Sequence, residues 1–215
     1  MASKFQRPTA DDFGFGQDTQ RGLIFVGAMA LVMWISEIID ALPNVDLDQY
    51  GIRPRELQGL EGIAFSPFLH GGWDHLIGNT IPFVILGATI AMSGLARIAW
   101  VTLIVVVIGG FFTWLFSPDH SVIIGASGVV FGYAAYLVAR WLYTRQLIHL
   151  LTGLIVAVVW GATLMAGLVP TPGVSWQAHL FGALGGFAAA RLLDGRDRAR
   201  EVKARGESPS AFTGR

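Results

Sequence analysis

The chain contains no cysteine, which excludes disulfides and thiolate metal sites and leaves the redox compartment open. Charge is scarce. Only 14% of the 215 residues are charged, and 15 cations balance 15 anions. A zero balance carries no global electrostatic footprint for nucleic acid. Carboxylates are scarcest where the chain is most apolar: between Asp74 and Asp194 the only one is Asp119. Any catalysis in that region therefore runs without an acidic partner on an apolar segment. No signal-peptide pattern precedes the first long apolar run, whose exit at Pro43-Asn44-Val45-Asp46 is poor in the small residues of a cleavage site.

What the chain has is apolar length. Hydrophobic residues make up 53% of it, and the mean hydropathy is +0.55. A hydrocarbon core of roughly 30 Å needs about 20 helical residues. Residues 22–42, 73–93, 97–116, 126–143 and 146–167 are each that apolar. A sixth segment, 177–193, is shorter and rich in glycine and alanine. These predict an all-α, multi-pass membrane protein with one six-helix domain over residues 21–194. A polar N-terminal stretch, 1–20, precedes it, and a charged tail, 195–215, follows with the composition of a disordered segment.

Orientation follows from the basic residues. With the N-terminus inside and six spans, thirteen of the 15 Lys and Arg fall on the cytoplasmic side, and only Arg53 and Arg55 fall outside. Both termini are expected in the cytoplasm, and a bacterial plasma membrane is the expected location.

Polar groups within the apolar segments then acquire a depth. His75 and Asn79 lie at the start of segment two, Ser127 at the start of four and His179 at the start of six. At 1.5 Å per residue, each is within roughly 10 Å of its segment's outer end. His149 opens segment five on the opposite side, and His120 and His70 belong to outer loops. His75 and Asn79, four apart, share a helix face. Phe131 stands one turn below Ser127, and Gly182 and Gly186 follow His179 at i+3 and i+7. That small-residue face allows close approach to segment four through Gly128, Gly132, Ala134 and Ala135, which would bring His179 to Ser127 and its ring to Phe131. The stretch Gly125-Ala126-Ser127-Gly128 itself sets a hydroxyl between residues without side chains at a helix start.

Taken singly, these residues have plainer roles. An intramembrane serine ordinarily bonds its own helix backbone, an asparagine can be interhelical glue, and a lone histidine can serve a proton path. His70 and His75, five apart, lie on different faces and make no zinc pair; no metal or cofactor is expected. His70 reads as a hydrogen bonder that fixes a loop. Gly182 and Gly186 are structural, and Phe131 is core packing before it is catalytic support.

In order, however, His70, His75 with Asn79, Gly-x-Ser-Gly and Ala-His-x-x-Gly-x-x-x-Gly resemble the rhomboid family of intramembrane serine proteases. The resemblance spans about residues 22–193. It implies Ser127 as nucleophile, His179 as general base, and His75, Asn79 and the Ser127 amide as an oxyanion hole. Gly125, Gly128, Phe131, Gly182, Gly186 and His70 support the site. It also implies substrates that are single- or multi-span membrane proteins, entering from the bilayer by movement of segment five and the loop 169–176 against segment two. Two departures stand out. The Trp-Arg pair of many relatives is missing from the first long loop, which reads Gly51-Ile52-Arg53-Pro54-Arg55, and Phe131 stands where many relatives have tyrosine.

The chemistry agrees with the resemblance on independent grounds. A serine hydroxyl is a poor nucleophile until a base takes its proton, and a neutral imidazole can take it and return it to the leaving amine. Without a carboxylate this is a Ser–His dyad, oriented by packing on Phe131. Outer loop 43–72, with Leu57, Leu60, Phe65 and Phe68 among polar residues, is expected to lie in the membrane interface with Trp73 and Trp176. Two other classes compete. A rhomboid-like binder of membrane segments without activity is disfavoured by the intact Ser127 and His179. A small transporter is disfavoured because segments two, four and six are almost wholly apolar below their first turns.

Overall fold

The computed structural model describes residues 16–204. The polar stretch up to residue 15 and the tail from 205 lie outside the described residues. Six long helices dominate: α1 (Gln17–Asp40), α2 (Trp73–Ala91), α3 (Leu95–Phe116), α4 (Ser127–Thr144), α5 (Leu147–Gly167) and α6 (Trp176–Ala204). Their starts fall within five residues of those read from hydropathy, because long apolar runs of this composition satisfy their backbone only as helices in lipid.

Two features differ from expectation. First, α6 runs eleven residues beyond Leu193, so residues 195–204 are helical rather than disordered. Its extension is tied to the bundle: Asp194 pairs with Arg97 at 3.3 Å and Arg140 at 3.1 Å. Arg97 also reaches Asp197 at 2.5 Å, and Arg198 Nη1 donates to the Tyr143 carbonyl at 3.2 Å. Second, among the described residues four helices, α1, α2, α3 and α5, are long and apolar enough on their own to cross a membrane. α4 is less apolar because it faces protein. Ten of its eighteen residues are buried, Arg140 among them. In α6 glycine and alanine replace larger apolar side chains.

α4 is the hub. It packs on α2, α3, α5 and α6, with α6 its most extensive partner. That contact is backbone against backbone. A Cβ at Gly182 would stand 2.8 Å from the Gly128 carbonyl carbon, and one at Gly186 would stand 2.7 Å from that of Gly132. α6 also lies close to α3, since a Cβ at Gly109 would lie 3.0 Å from the Gly182 Cα. Beside this seam, Phe83 stacks on Tyr133 at 5.6 Å. The buried Tyr133 hydroxyl pairs with Thr102 Oγ1 at 2.6 Å, which in turn donates to the Ile98 carbonyl. α5 is the loosest helix. Only 11% of its apolar window is buried, against 28–39% for α1, α2 and α3.

The loop from 41 to 72 consists of short helical turns anchored to the end of α3 and the approach to α4. Ile52 and Ile123 exchange backbone hydrogen bonds at 2.9 Å. Arg55 donates to the Leu115 carbonyl at 2.8 Å and pairs with Asp119, and Trp114 Nε1 donates to the Glu56 carbonyl. The stretch that lacks the Trp-Arg pair is thus the anchor of this loop. Leu57 and Phe65 project outward, 83% and 49% exposed.

Candidate active site

Ser127 is the first residue of α4, and the chain reaches it through a bent approach. Gly125 has φ +111°, a left-handed conformation that glycine adopts without steric cost. Its amide donates to the Ser66 carbonyl at 2.8 Å, and the Ala126 amide donates to His70 Nε2 at 3.3 Å. Two loop residues thereby hold the two amides before the serine. His70 is 1% exposed. Burial, with His75 beside it, pushes its pKa down to about 4, so the neutral ring keeps the lone pair that accepts from Ala126.

α6 brings the base. Ser175 Oγ caps its first turn by accepting from the Ala178 amide at 3.3 Å, a standard way to satisfy the free donors of a helix start. One turn in, His179 Nε2 lies 2.9 Å from Ser127 Oγ, and His179 Nδ1 lies 2.7 Å from the Gly167 carbonyl oxygen. A carbonyl only accepts, so Nδ1 carries the proton and Nε2 is the free acceptor for the serine hydroxyl. The imidazole lies flat on Phe131, centroids 4.1 Å apart and planes 4° apart. Three constraints therefore hold the ring: the hydroxyl, a backbone carbonyl and an aromatic face.

Gly167 was not legible as a site residue, because a carbonyl acceptor at a helix end has no side-chain signature. Its lack of a side chain matters as well. A Cβ there would stand 2.5 Å from Phe131 Cζ and 3.0 Å from His179 Nδ1.

α2 contributes the remaining polar groups. Gly125 passes directly over them: a Cβ on it would lie 2.7 Å from His75 Nε2 and 3.6 Å from Asn79 Nδ2. Asn79 is buried, 6% exposed, and one of its amide hydrogens is spent on the His75 carbonyl at 3.1 Å, leaving the second free to donate. The His70 and His75 rings meet edge to face at 5.1 Å. Of the other histidines, His149 bonds Thr144 Oγ1 on the far side of the bundle, and His120 is exposed in a loop with φ +60°. Among the described residues no group of three or more His, Asp or Glu side chains is arranged to hold a metal ion.

A cavity of about 670 Å³ opens beside His75, between the approach to α4 and the loop from 168 to 175, reaching Trp176 and Gln177. That loop closes on itself through a Thr171–Val174 bridge, with Gly173 at φ +77°.

A bundle of apolar helices with a hydrogen-bonded Ser–His pair at one end defines an integral membrane protein of serine-hydrolase-like geometry. Residues 58–195 match the family described as the Rhomboid domain. The chain is similar to the uncharacterized protein ML1171 of Mycobacterium leprae, 41% identical over 206 residues, 89% of this chain and 80% of the relative. It is also similar to the uncharacterized protein Rv1337 of Mycobacterium tuberculosis, 39% identical over 208 residues, 88% of this chain and 85% of that one. Rhomboid-like protein 11, chloroplastic, of Arabidopsis thaliana is 33% identical over 141 residues, 60% and 50% of the two chains. The chain belongs to the rhomboid family.

Proposed function

We propose that this protein is an intramembrane serine endopeptidase that cuts transmembrane segments of membrane proteins near the outer face of a bacterial plasma membrane. The observation that carries this reading is the 2.9 Å contact between His179 Nε2 and Ser127 Oγ, with Nδ1 committed to the Gly167 carbonyl. In the proposed reaction His179 takes the Ser127 proton as Oγ bonds to the scissile carbonyl carbon. The carbonyl π electrons move to oxygen, and the tetrahedral oxyanion accepts from Asn79, His75 and the Ser127 amide. Each such donor is worth about 3–4 kcal/mol in transition-state stabilisation. The intermediate collapses, the C–N bond breaks, and His179 returns the proton to the leaving amine. Water then repeats the sequence on the acyl-enzyme.

All six long helices span the bilayer in this reading, with both termini inside, as the thirteen-to-two distribution of basic residues supports. The 670 Å³ cavity admits water from outside. Substrate enters laterally between α2 and the loosely packed α5 beneath the loop from 168 to 175. Segments that unwind easily after a small residue are favoured, since an intact helix hides its amides. A second expectation is that Leu57 and Phe65 dip into the membrane interface.

The test is cleavage of a single-span membrane substrate by purified protein in detergent, with Ser127→Ala as comparison. Cleavage lost in the variant supports the assignment. Cleavage that persists in Ser127→Ala, or its absence in both proteins across several substrates, overturns it.

A further inference from the structure

A groove of about 550 Å³ lies between α3 and α6, at the end of the bundle away from the Ser–His pair. Arg196, at its mouth, is seventeen residues beyond His179 on one helix, roughly 25 Å away at 1.5 Å per residue. The walls are apolar: Trp100 and Ile104 from α3, Leu192 and Leu193 from α6. Trp100 is 55% exposed, the placement of an interfacial tryptophan. The polar end is formed by Arg97, Arg196 and Asp197.

Two aspartates, Asp194 and Asp197, line this groove and the polar cavity behind it. Arg97 is committed to both aspartates and Arg140 to Asp194. Arg196 is exposed and forms no hydrogen bond or ion pair among the described residues. A ligand that suits this site has a long apolar part for the Trp100–Leu193 walls and a negative charge at one end for Arg196. In a membrane, that description fits an anionic phospholipid.

We propose that the α3–α6 groove binds an anionic phospholipid, its acyl chain between Trp100, Ile104, Leu192 and Leu193 and its phosphate on Arg196 beside Arg97. The site ties the membrane surface to α6, the helix that carries His179, and is separate from the hydrolytic site.

The test is native mass spectrometry of the full chain in detergent, titrated with phosphatidylglycerol or with phosphatidylcholine of the same acyl chains. A cation facing an anionic lipid contributes about fivefold in affinity, so Arg196 predicts a preference of about fivefold for phosphatidylglycerol. Arg196→Ala should lower phosphatidylglycerol affinity about fivefold and leave phosphatidylcholine unchanged. Ile104→Trp, which fills the groove, should weaken retention of both lipids. Equal affinity for the two lipids, or an Arg196→Ala variant that keeps the wild-type preference, overturns the proposal. Displacement of phosphatidylglycerol by glycerol phosphate alone overturns it too, because the site would then take a free anion. Failure of Ser127 to support proteolysis leaves these outcomes untouched.

Discussion

Replacement of Gly182 by alanine tests whether the α4–α6 seam sets the reactive distance. The added methyl would sit 2.8 Å from the Gly128 carbonyl carbon and 3.1 Å from its Cα, with the carbonyl oxygen nearer still. Carbon atoms pack at about 3.5–4.0 Å, so the two helices must part by about 1 Å. Retreat is confined, because Gly109 of α3 backs on the same residue. Overpacking of this kind costs about 1–3 kcal/mol of stability. The larger effect falls on the dyad. The Ser127–His179 contact is 2.9 Å, and an opening of about 1 Å carries it beyond hydrogen-bond range. A misplacement of that size costs about a hundredfold in rate. The assay is kcat/KM on a single-span substrate, alongside the rate at which an organophosphonate labels Ser127. Gly161→Ala on α5 is the control, since a Cβ there has no neighbour within 4 Å. Gly182→Ala activity within about twofold of the control, far short of the hundredfold loss, would refute the reasoning.

Three further outcomes are expected. Asn79→Ala should lower kcat about a hundred- to a thousandfold with little change in KM, as loss of one oxyanion donor does; a loss confined to KM would place Asn79 in substrate binding instead. Asp194→Asn should destabilise the protein by about 3 kcal/mol, because it leaves Arg97 and Arg140 without their shared buried partner. Thermal unfolding in detergent reads this, and an unchanged midpoint would show the network to be dispensable. His70 has its folded pKa pushed down to about 4 by burial, below the ordinary value of about 6.5. Between those values the unfolded chain binds more protons, so stability present above pH about 6.5 is lost as pH falls towards about 4. His70→Asn should remove that part of the acid sensitivity, measured as the difference between unfolding midpoints at pH 7 and pH 5.

Much of the arrangement was legible because it rests on side chains at helical spacing. The apolar runs placed the six helices, and the i+3 and i+7 glycines after His179 anticipated the contact that the structure places against Gly128 and Gly132. Phe131, four residues after Ser127, was readable as the surface beneath the imidazole. What escaped the sequence rests on backbone or on distant charge. The Gly167 carbonyl has no pattern to mark it, and the same holds for the Ser66 carbonyl that receives the Gly125 amide. The continuation of α6 to Ala204 was missed because a charged stretch after an apolar helix has the composition of a free tail. Its long-range partners, Arg97 from α3 and Arg140 from α4, help to make the aspartates favourable where they stand.

The acceptor that orients His179 also has a mechanical consequence. In a soluble triad a buried carboxylate holds the imidazole and offsets the charge it gains. Here the acceptor is a neutral carbonyl at the last residue of α5, the helix with the least buried apolar face. In the proposed reaction a neutral acceptor stabilises the imidazolium less than a carboxylate does, so the pair works without that share of transition-state stabilisation. The position of the acceptor is not independent of the proposed substrate route. Any outward movement of α5 carries the Gly167 carbonyl with it and releases Nδ1, while Phe131 on α4 still supports the face of the ring. The His179 ring is therefore fully held only when α5 is seated against α4. On the proposed route between α2 and α5, admission of a substrate and activation of Ser127 are then successive rather than simultaneous, and the aromatic stack keeps His179 near Ser127 between the two.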